Sequence, residues 1–255
     1  MASSINVITS VYNGSRYLDK YIKSIEEQLL RGFNLTIVDA NSSDETLERL
    51  IRREWRQDIG LRIVQCEKKI GLYEAWNIAI EESSADWFVN LNVDDYLLPT
   101  ALLGYEAHIK EVDNHIGAIV GNHLERTEDN DDLEEYRIVA KWMVDDPVSL
   151  FESCTFGPFP LIRRDIWKEL GGFNNDLVSS GDYDFWCRLV KAGYSAKKVT
   201  DFIGIYTRNP EGLSTSPEMV ENARNEDILC RNHLRKLLWL AIKHELRARS
   251  LGKRN

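Results

Sequence analysis

Residues 87–95 read WFVNLNVDD, an apolar stretch that runs directly into two adjacent acids, Asp94 and Asp95. The first five residues have the length and composition of a buried β-strand, so the acids are predicted to lie at its carboxyl end. Adjacent unpaired carboxylates repel each other, and Mg²⁺ or Mn²⁺ held by carboxylates and phosphate oxygens would relieve that repulsion. The alternative is an acidic turn before a helix that starts near Pro99. Both interpretations are open at this point.

Strand and helix patterns alternate through the residues that precede this stretch. Short β-branched runs predict strands at residues 5–11, 34–39 and 61–65, and apolar residues at helical spacing predict helices at 18–29, 42–51 and 72–82. The second helix is expected to begin at a capping box formed by Ser42 and Glu45. This alternation predicts an α/β fold with a mainly parallel sheet and helices on both faces.

Asp39 is the second candidate for a functional role, because it closes the strand predicted at residues 34–39. In a parallel sheet ligands bind beyond the carboxyl ends of the strands, which places Asp39 and Asp94 at the same edge. A carboxylate in that position can accept a hydrogen bond from the N–H of a nucleobase. Residues 40–44 are also typical of a turn into a helix, so a purely structural turn is the alternative.

Asp182 is the third candidate and lies in the segment SSGDYDFWCRLVKAGY, residues 179–194. Gly181 precedes a predicted helix, so Asp182 falls at its N-cap or in its first turn, where the helix dipole favours the ionised carboxylate. Plain helix capping explains this position. The functional alternative is a general base that points into a cleft and takes a proton from an acceptor hydroxyl.

The second half of the chain has a less regular pattern. Strands are predicted at residues 118–125 and 136–143, joined by an acidic turn at 127–135, and helices at 164–170, from about Asp182 and from about Glu218. No internal repeat or linker sets off a second domain. We therefore predict one domain over residues 1–215 and a C-terminal helical tail over residues 216–255.

The composition argues against several classes of protein. A formal charge of −9 is unlike that of a nucleic-acid binder, which needs a basic surface. The four cysteines form no C-x-x-C pair, so neither a zinc site nor a disulfide framework is expected, and a reducing cytoplasm is predicted. The sequence shows no leader pattern and no apolar run of about 18 residues. It also lacks the glycine-rich loops of dinucleotide-binding and P-loop enzymes.

Six segments, taken in order, resemble the large family of inverting glycosyltransferases with a GT-A fold known as family 2. The segments are VITSVYNGSRYLDKYIKSI (7–25), IVDANSSDETL (37–47), KKIGLYEAWNIAI (68–80), WFVNLNVDDYLLP (87–99), LGGFNNDLVSSGDYDFWCRL (170–189) and GIYTRNPEGLSTS (204–216). The resemblance covers roughly residues 5–215. It implies a single Rossmann-like domain with a mainly parallel, mixed central sheet flanked by helices.

The resemblance implies which residues bind the donor, a nucleotide-sugar. Thr9 and Tyr12 would line the base pocket, and Asp39 would accept the base N–H, most often that of uracil in this family. Gly71 and Asn77 would line the donor site, because they match the family's G-x-x-x-A-x-N stretch.

The resemblance also assigns a metal ligand and a catalytic base. Asn92 and Asp94 occupy the two ends of the family's D-x-D motif, so Asn92 would face the ribose or donor sugar and Asp94 would bind Mn²⁺ or Mg²⁺. Asp182 matches the catalytic base. Arg208 stands in the late loop where many members carry a histidine near the diphosphate, and its permanent charge would offset the diphosphate instead.

Two departures from the family pattern bear on the expected activity. Asn92 replaces the first acid of the motif, which lowers the negative charge available to a metal ion, and Ala40 replaces a frequent second aspartate after Asp39. The expected activity is transfer of a sugar, from a UDP-sugar in the first instance, to a hydroxyl of a glycan or lipid-linked saccharide in polysaccharide biosynthesis. A sugar-nucleotide-binding protein with an inactive site and a nucleotidyltransferase are the alternatives.

The tail ILCRNHLRKLLWLAIKHELRARSLGKRN, residues 228–255, predicts an amphipathic helix with a basic rim. Such a helix suits packing on the domain or on the second subunit of a homodimer. A peripheral contact with an anionic membrane surface is the alternative to this preferred interpretation. The expected location is therefore the cytoplasm, with the inner face of the membrane as the alternative.

Overall fold

The computed structural model describes residues 4–127, 137–139, 154, 156–210, 212–213 and 216–235. In this part of the chain nine strands form one sheet, and seven α-helices accompany it. None of the helices described is long and apolar enough to cross a membrane. The predicted α/β class is confirmed.

The sheet has a parallel half and a mixed half. Its strands are β1 (Ile5–Val11), β2 (Asn34–Asp39), β3 (Gly60–Gln65), β4 (Trp87–Asn90), β5 (Tyr96–Leu97), β6 (Ile116–Thr127), β7 (Arg137–Val139), β8 (Leu161–Arg163) and β9 (Ser195–Arg208). They follow the order β3-β2-β1-β4-β8-β6-β9-β5, and β7 pairs with β6. The first four strands of this order are mutually parallel, whereas β8 runs antiparallel to both of its neighbours. The carboxyl ends of β1, β2 and β4 therefore meet at one edge.

Helices cover the two faces of the sheet. They are α1 (Leu18–Glu26), α2 (Thr46–Arg52), α3 (Leu72–Glu81), α4 (Ala101–Ile109), α5 (Arg164–Glu169), α6 (Gly181–Lys191) and α7 (Pro217–Arg231). Successive strand residues point to opposite faces, so Val7 joins the core under α1 and α4, while Ile8 joins the core under α3, α5 and α6. The second core also takes Cys230 and Leu234, which attaches the end of the described chain to the domain.

The predicted elements agree well with the structure where the sequence pattern is regular. The boundaries of β1 and β2 match, but α1 ends at Glu26, so Leu29 lies beyond it and is 52% exposed. The predicted capping box at Ser42 is wrong. The helix α2 begins at Thr46, and the side chain of its N-cap residue Glu45 makes no capping hydrogen bond. The amide of Thr46 donates instead to Oδ1 of Asp44 at 3.0 Å.

Three strands were missed, namely β5, β8 and β9. The fourteen residues of β9 do not alternate between buried and exposed positions, because its pairing with β6 shifts register between Ile116 and Ala118 and again on both sides of Asn122. A period of two residues is the usual signal of a strand, and irregular pairing removes it.

Several sequence-based expectations fall partly or wholly outside the described residues. Of the strand expected at 136–143, residues Arg137–Val139 are described, and they pair with β6. The acidic turn lies outside the described residues apart from Thr127. The tail helix begins at Pro217, and its described part packs on α6. Residues 236–255, which carry most of the predicted amphipathic stripe and basic rim, lie outside the described residues.

Candidate active site

The loops that follow β1, β2 and β4 lie side by side at the carboxyl edge of the parallel half of the sheet. Val11 pairs with Asp39, and the amide of Ala40 donates to the carbonyl of Val11 at 2.8 Å. On the other side of β1, the amide of Leu91 donates to the carbonyl of Ile8 at 2.9 Å. The strand order therefore brings the Asp39 loop and the Asn92–Asp95 loop to the same edge, as predicted.

Asp39 carries a buried carboxylate oxygen that has no hydrogen-bond partner among the described residues. The side chain is 0% exposed, its Oδ2 accepts the amide of Ser42 at 3.0 Å, and its Oδ1 is left unpaired. An unsatisfied buried acceptor costs about 1–3 kcal/mol, and more when it is charged, so folded proteins rarely leave one without a purpose. A ligand N–H that reached Oδ1 would remove this cost.

The loops after β1 and β2 are joined by hydrogen bonds. The side chain of Asn13 accepts the amide of Ser43 at 2.8 Å, and the amide of Asn13 donates to the hydroxyl of Ser42 at 2.9 Å. Asn13 and Asn41 both adopt positive φ, at 52° and 68°, a conformation that asparagine tolerates better than most residues. Ser42 therefore joins the loops after β1 and β2 beside Asp39 and does not cap α2.

Tyr12 and Thr9 occupy different environments. Tyr12 is 43% exposed, and the ammonium of Lys69 lies 4.0 Å from the centroid of its ring. Thr9 is 1% exposed, and its hydroxyl shares a 2.7 Å hydrogen bond with that of Tyr21 inside the core. Tyr12 therefore presents a ring at the edge of the sheet, whereas the expectation that the side chain of Thr9 lines the base pocket is not supported by this geometry.

The residues of the Asn92–Asp95 loop differ in burial. Asn92 is only partly buried, but its Oδ1 is fully covered and has no hydrogen-bond partner among the described residues. Asp94 is also partly buried. Asp95 is 2% exposed, and its Oδ1 accepts the amide of Thr207 at 2.8 Å. Burial, followed by the charge of Asp94, raises the pKa of Asp95 well above its ordinary value. Asp95 therefore attaches β9 to the loop that follows β4.

The protein provides few ligands of its own for a metal ion. Among the described residues no three histidine, cysteine, aspartate or glutamate side chains cluster in a way that could hold one. Asp94 offers a carboxylate, and the covered Oδ1 of Asn92 offers a second oxygen. This set fits Mg²⁺ or Mn²⁺, which bind one or two protein oxygens and take the remaining ligands from phosphate and water.

Gly71 and Asn77 bracket the first turns of α3 but play different parts. A Cβ at Gly71 would meet no atom within 4 Å, so this position borders open space. Asn77 donates to the carbonyl of Phe173 at 2.8 Å and to Oδ1 of Asn175 at 2.7 Å, and accepts the amide of Phe173 at 2.9 Å. The expectation that Asn77 binds the donor is therefore corrected, because its amide ties the turn after α5 to α3.

Asp182 is the second residue of α6, and its carboxylate contacts α3. The hydroxyl of Tyr73 donates to Oδ1 of Asp182 at 3.2 Å. The pKa of Asp182 is raised above its ordinary value, and burial is the largest cause of this shift. The hydrogen bonds from the Tyr183 amide and the Tyr73 hydroxyl act in the opposite direction and lower the pKa. A carboxylate with a raised pKa is a stronger base, which suits the role expected from the sequence.

The first turn of α3 connects this carboxylate to the carboxyl edge of the parallel half of the sheet. Glu74 follows Tyr73, and the charges of Asp39 and Glu74, after burial, raise the pKa of Cys66. Cys66 itself follows β3, and its amide donates to the carbonyl of Asp39 at 2.9 Å. The start of α3 therefore lies near Asp39 and Cys66. Tyr73, in the first turn of this helix, contacts Asp182 through its hydroxyl.

Arg208 ends β9 directly after Thr207, the residue that Asp95 anchors. Its side chain is 56% exposed, and its Nε lies 3.3 Å from Oε2 of Glu125. The guanidinium is thus partly neutralised at a position that stays accessible. Its proposed role beside a diphosphate remains a prediction.

The sequence pattern does not indicate the role of Tyr73, although this residue stands inside the G-x-x-x-A-x-N stretch. Nothing in the sequence pairs it with Asp182, which is 109 positions away. Gly181 also reflects this contact in the structure, because a Cβ at this position would lie 2.6 Å from the ring of Tyr73.

Comparison with known proteins identifies the family to which the chain belongs. The family model for Glycosyl transferase family 2 matches residues 6–171. An uncharacterized glycosyltransferase of Methanocaldococcus jannaschii is 25% identical over 204 residues, which are 78% of this chain and 69% of that protein.

Two solved structures share the fold. S. aureus TarS in complex with UDP-GlcNAc superposes with a TM-score of 0.70 at 20% identity, over 92% of this chain and 66% of that one. The mannosyltransferase PcManGT from Pyrobaculum calidifontis, in complex with GDP-Man and Mn²⁺, superposes with a TM-score of 0.61 at 19% identity, over 80% of this chain and 57% of that one. With the match to the family model, these likenesses show that the chain is a glycosyltransferase with a GT-A fold and belongs to glycosyl transferase family 2.

Proposed function

We propose that this glycosyltransferase moves a sugar from a UDP-sugar to a hydroxyl of a glycan or lipid-linked saccharide in one inverting step. The observation that carries the proposal is the buried, unpaired Oδ1 of Asp39 at the carboxyl edge of the sheet. Open space at Gly71 and the exposed ring of Tyr12 adjoin the same edge. These features suit a nucleotide whose base lies against the Asp39 loop.

The chemistry of Asp39 selects among nucleobases. A carboxylate oxygen accepts hydrogen bonds and offers none, so it favours a base with a ring N–H at its pairing edge. Uracil has this group at N3, whereas cytosine has a lone pair there, which the carboxylate repels. Guanine also carries a ring N–H, and uracil is preferred here on the family resemblance.

Asp94 and Asn92 would hold the ion that accompanies the diphosphate. When bound, Mg²⁺ or Mn²⁺ stabilises the negative charge that builds on the leaving diphosphate. The chain contributes one carboxylate, from Asp94, and the amide oxygen of Asn92 in place of a second one. Arg208 would add positive charge next to the same group.

Asp182 supplies the base in this proposal. Its carboxylate takes the proton of the acceptor hydroxyl while that oxygen attacks the anomeric carbon. The bond between the anomeric carbon and the diphosphate oxygen breaks in the same step, and UDP leaves with the bonding electrons. Attack from the face opposite the leaving group inverts the anomeric centre, so no covalent sugar–enzyme intermediate is needed. A well-placed general base contributes about 10²- to 10⁴-fold to the rate.

A setting in polysaccharide biosynthesis at the cytoplasmic face of a membrane belongs to the same proposal. The basic residues of the tail, such as Lys236 and Arg247, suit an anionic surface, and they lie outside the described residues. Co-sedimentation with vesicles containing anionic lipid, for the full chain and for a variant with the basic residues of 236–255 neutralised, tests this contact. Equal pelleting of the two proteins would leave a homodimer or packing on the domain as the role of the tail.

The decisive experiment compares UDP and CDP binding by calorimetry in the presence of Mn²⁺. We expect UDP to bind the wild-type protein more tightly than CDP, and Asp39→Ala to remove the difference. Loss of one hydrogen bond to a charged group corresponds to about 1.5–3 kcal/mol, or roughly a 10- to 100-fold change in affinity. Glu54→Gln, at an exposed acid far from this edge, is the matched control. The proposal fails when no UDP-sugar binds or none releases UDP in the presence of candidate acceptors.

A further inference from the structure

Glu226 is a buried carboxylate on α7, the helix that packs on α6 through Cys230. It is 6% exposed, although glutamate is seldom buried unless its charge is compensated. It also lies outside the segment that matches the family model, which ends at residue 171. Neither the sequence pattern nor the family resemblance gives this residue a role.

The carboxylate of Glu226 binds three consecutive backbone amides. Its Oε1 accepts the amide of Val178 at 2.9 Å, and its Oε2 accepts those of Ser179 at 2.8 Å and Ser180 at 2.9 Å. Asn222, one turn earlier on α7, donates to Oε1 at 2.8 Å. Although burial raises the pKa of Glu226, these hydrogen bonds outweigh it and lower the pKa below its ordinary value. The group is therefore ionised at neutral pH.

These amides belong to the segment that leads into α6. Ser180 is the N-cap residue of α6 and makes no capping hydrogen bond to the amides of that helix. Its hydroxyl donates instead to Oδ1 of Asp227 at 2.7 Å, so two successive acids of α7 hold the residue. Asp182 lies two residues further along the chain. The backbone before Asp182 is thus fixed by α7, and its carboxylate is held by Tyr73 of α3.

We propose that Glu226 is a positioning residue for Asp182: its carboxylate fixes residues 178–180 so that the Asp182 side chain is held against Tyr73. The inference rests on the proposed role of Asp182 as the base. Glu226 accepts three consecutive backbone amides directly before α6, and a buried N–H that loses its acceptor costs free energy. An ionised carboxylate satisfies all three, whereas an amide of the same shape can satisfy only those that face its single oxygen.

The test substitutes Glu226→Gln, which keeps the shape but turns an NH₂ group toward backbone donors. Glu226→Asp keeps the charge on a shorter stem and should recover part of the function. Glu221→Gln is the matched control, because Glu221 is an exposed acid on the same helix. All four proteins are compared well below their melting temperatures, where circular dichroism shows them fully folded.

We expect Glu226→Gln to keep the wild-type affinity for UDP, since Asp39 is untouched, and to lose about 10²-fold in kcat, the usual cost of a displacement of about 1 Å at a reacting group. Glu226→Asp should fall between it and the wild type, and Glu221→Gln should match the wild type. A role limited to stability would lower the melting temperature and leave the turnover of the folded protein unchanged. That outcome would overturn the inference.

A second measurement separates this inference from the proposed function. Amide hydrogen exchange at residues 178–180 and the ¹³C titration of the Asp182 carboxyl are followed in the same variants. Release of the segment should speed exchange and move the pKa of Asp182 toward its ordinary value, because burial is the main cause of its present shift. If the wild type transfers no sugar, the proposed function fails. The exchange rates and the Asp182 titration would still show whether Glu226 positions Asp182. An unchanged exchange rate and titration in Glu226→Gln would refute it.

Discussion

The hydroxyl of Tyr73 donates to Oδ1 of Asp182 at 3.2 Å, so the helix that begins beside the carboxyl edge of the sheet also holds the proposed base. Tyr73 is 2% exposed and packs edge-on against Trp76, which leaves its ring little freedom. The two ends of the proposed reaction, donor binding and proton removal, therefore share one rigid element.

Tyr73→Phe should shift the pH dependence of the enzyme. The hydrogen bond from Tyr73 lowers the pKa of Asp182, so its loss raises that pKa further. Because the base must be ionised, the acid limb of the kcat–pH profile is expected to move to higher pH. The lost bond should also cost about 1.5–3 kcal/mol of stability, as for other hydrogen bonds to charged groups.

Tyr194→Phe is the control for this experiment, since Tyr194 donates to Glu169 on the exposed surface at 2.7 Å. It should leave both the pH profile and turnover unchanged. An acid limb that stays in place in Tyr73→Phe would show that the Tyr73 contact does not tune the base.

Asp182→Asn should lose turnover, keep UDP binding and become more stable at neutral pH. The pKa of Asp182 is raised in the folded state, so the native protein binds this proton more tightly than the unfolded chain does. Between the two pKa values stability therefore falls as pH rises, and the ionised group costs free energy at neutral pH. Asparagine carries no charge and avoids that cost, while general-base catalysis of about 10²- to 10⁴-fold is lost.

Thermal unfolding of both proteins between pH 3 and pH 8 measures this effect. The advantage of Asp182→Asn should be largest at neutral pH and vanish in acid, below the pKa of an unfolded aspartate. A wild-type protein that is the more stable of the two at neutral pH would contradict the assigned direction, and near-normal kcat in the variant would refute Asp182 as the base.

Gly181→Ala and Gly71→Ala should have opposite effects: the first should lower stability, and the second should lower donor affinity. A Cβ at Gly181 would lie 2.6 Å from the ring of Tyr73, so the ring must move, and overpacking of this kind costs about 1–3 kcal/mol. A Cβ at Gly71 meets nothing within 4 Å, and its φ of −75° suits alanine, so stability should hold or rise slightly. Donor affinity should fall only in Gly71→Ala, because that methyl group would occupy the space proposed for the donor.

Calorimetry with UDP and urea unfolding separate the two glycine variants. A stable Gly181→Ala protein with normal kcat would mean that Tyr73 can leave Asp182 without consequence. Unaltered UDP affinity in Gly71→Ala would place the donor elsewhere along α3.

The sequence predicts those parts of the site that depend on regular strands and their ends. It does not predict those that depend on contacts between residues far apart in the chain. Asp39 ends one regular strand and Asp94 follows another, and the strand order alone brings their loops together. Thr9 shows the limit of that reasoning, because it also lies near a strand end but its side chain faces Tyr21 in the core. The roles of Tyr73 and Glu226 arise from pairs 109 and 46 to 48 positions apart, which no periodic pattern records.

Asn92→Asp should increase the dependence of the enzyme on divalent metal. The covered Oδ1 of Asn92 has no partner among the described residues, and Asp94 is the neighbouring carboxylate of the motif. A second negative charge there attracts Mn²⁺ more strongly, so we expect tighter UDP binding with Mn²⁺ and weaker binding in EDTA, where two acids would repel the diphosphate. Asp94→Ala should instead lose the effect of Mn²⁺ on UDP binding. Calorimetric titrations with and without the ion measure both, and a Mn²⁺ dependence that is identical in the wild type and both variants would place the metal outside this motif.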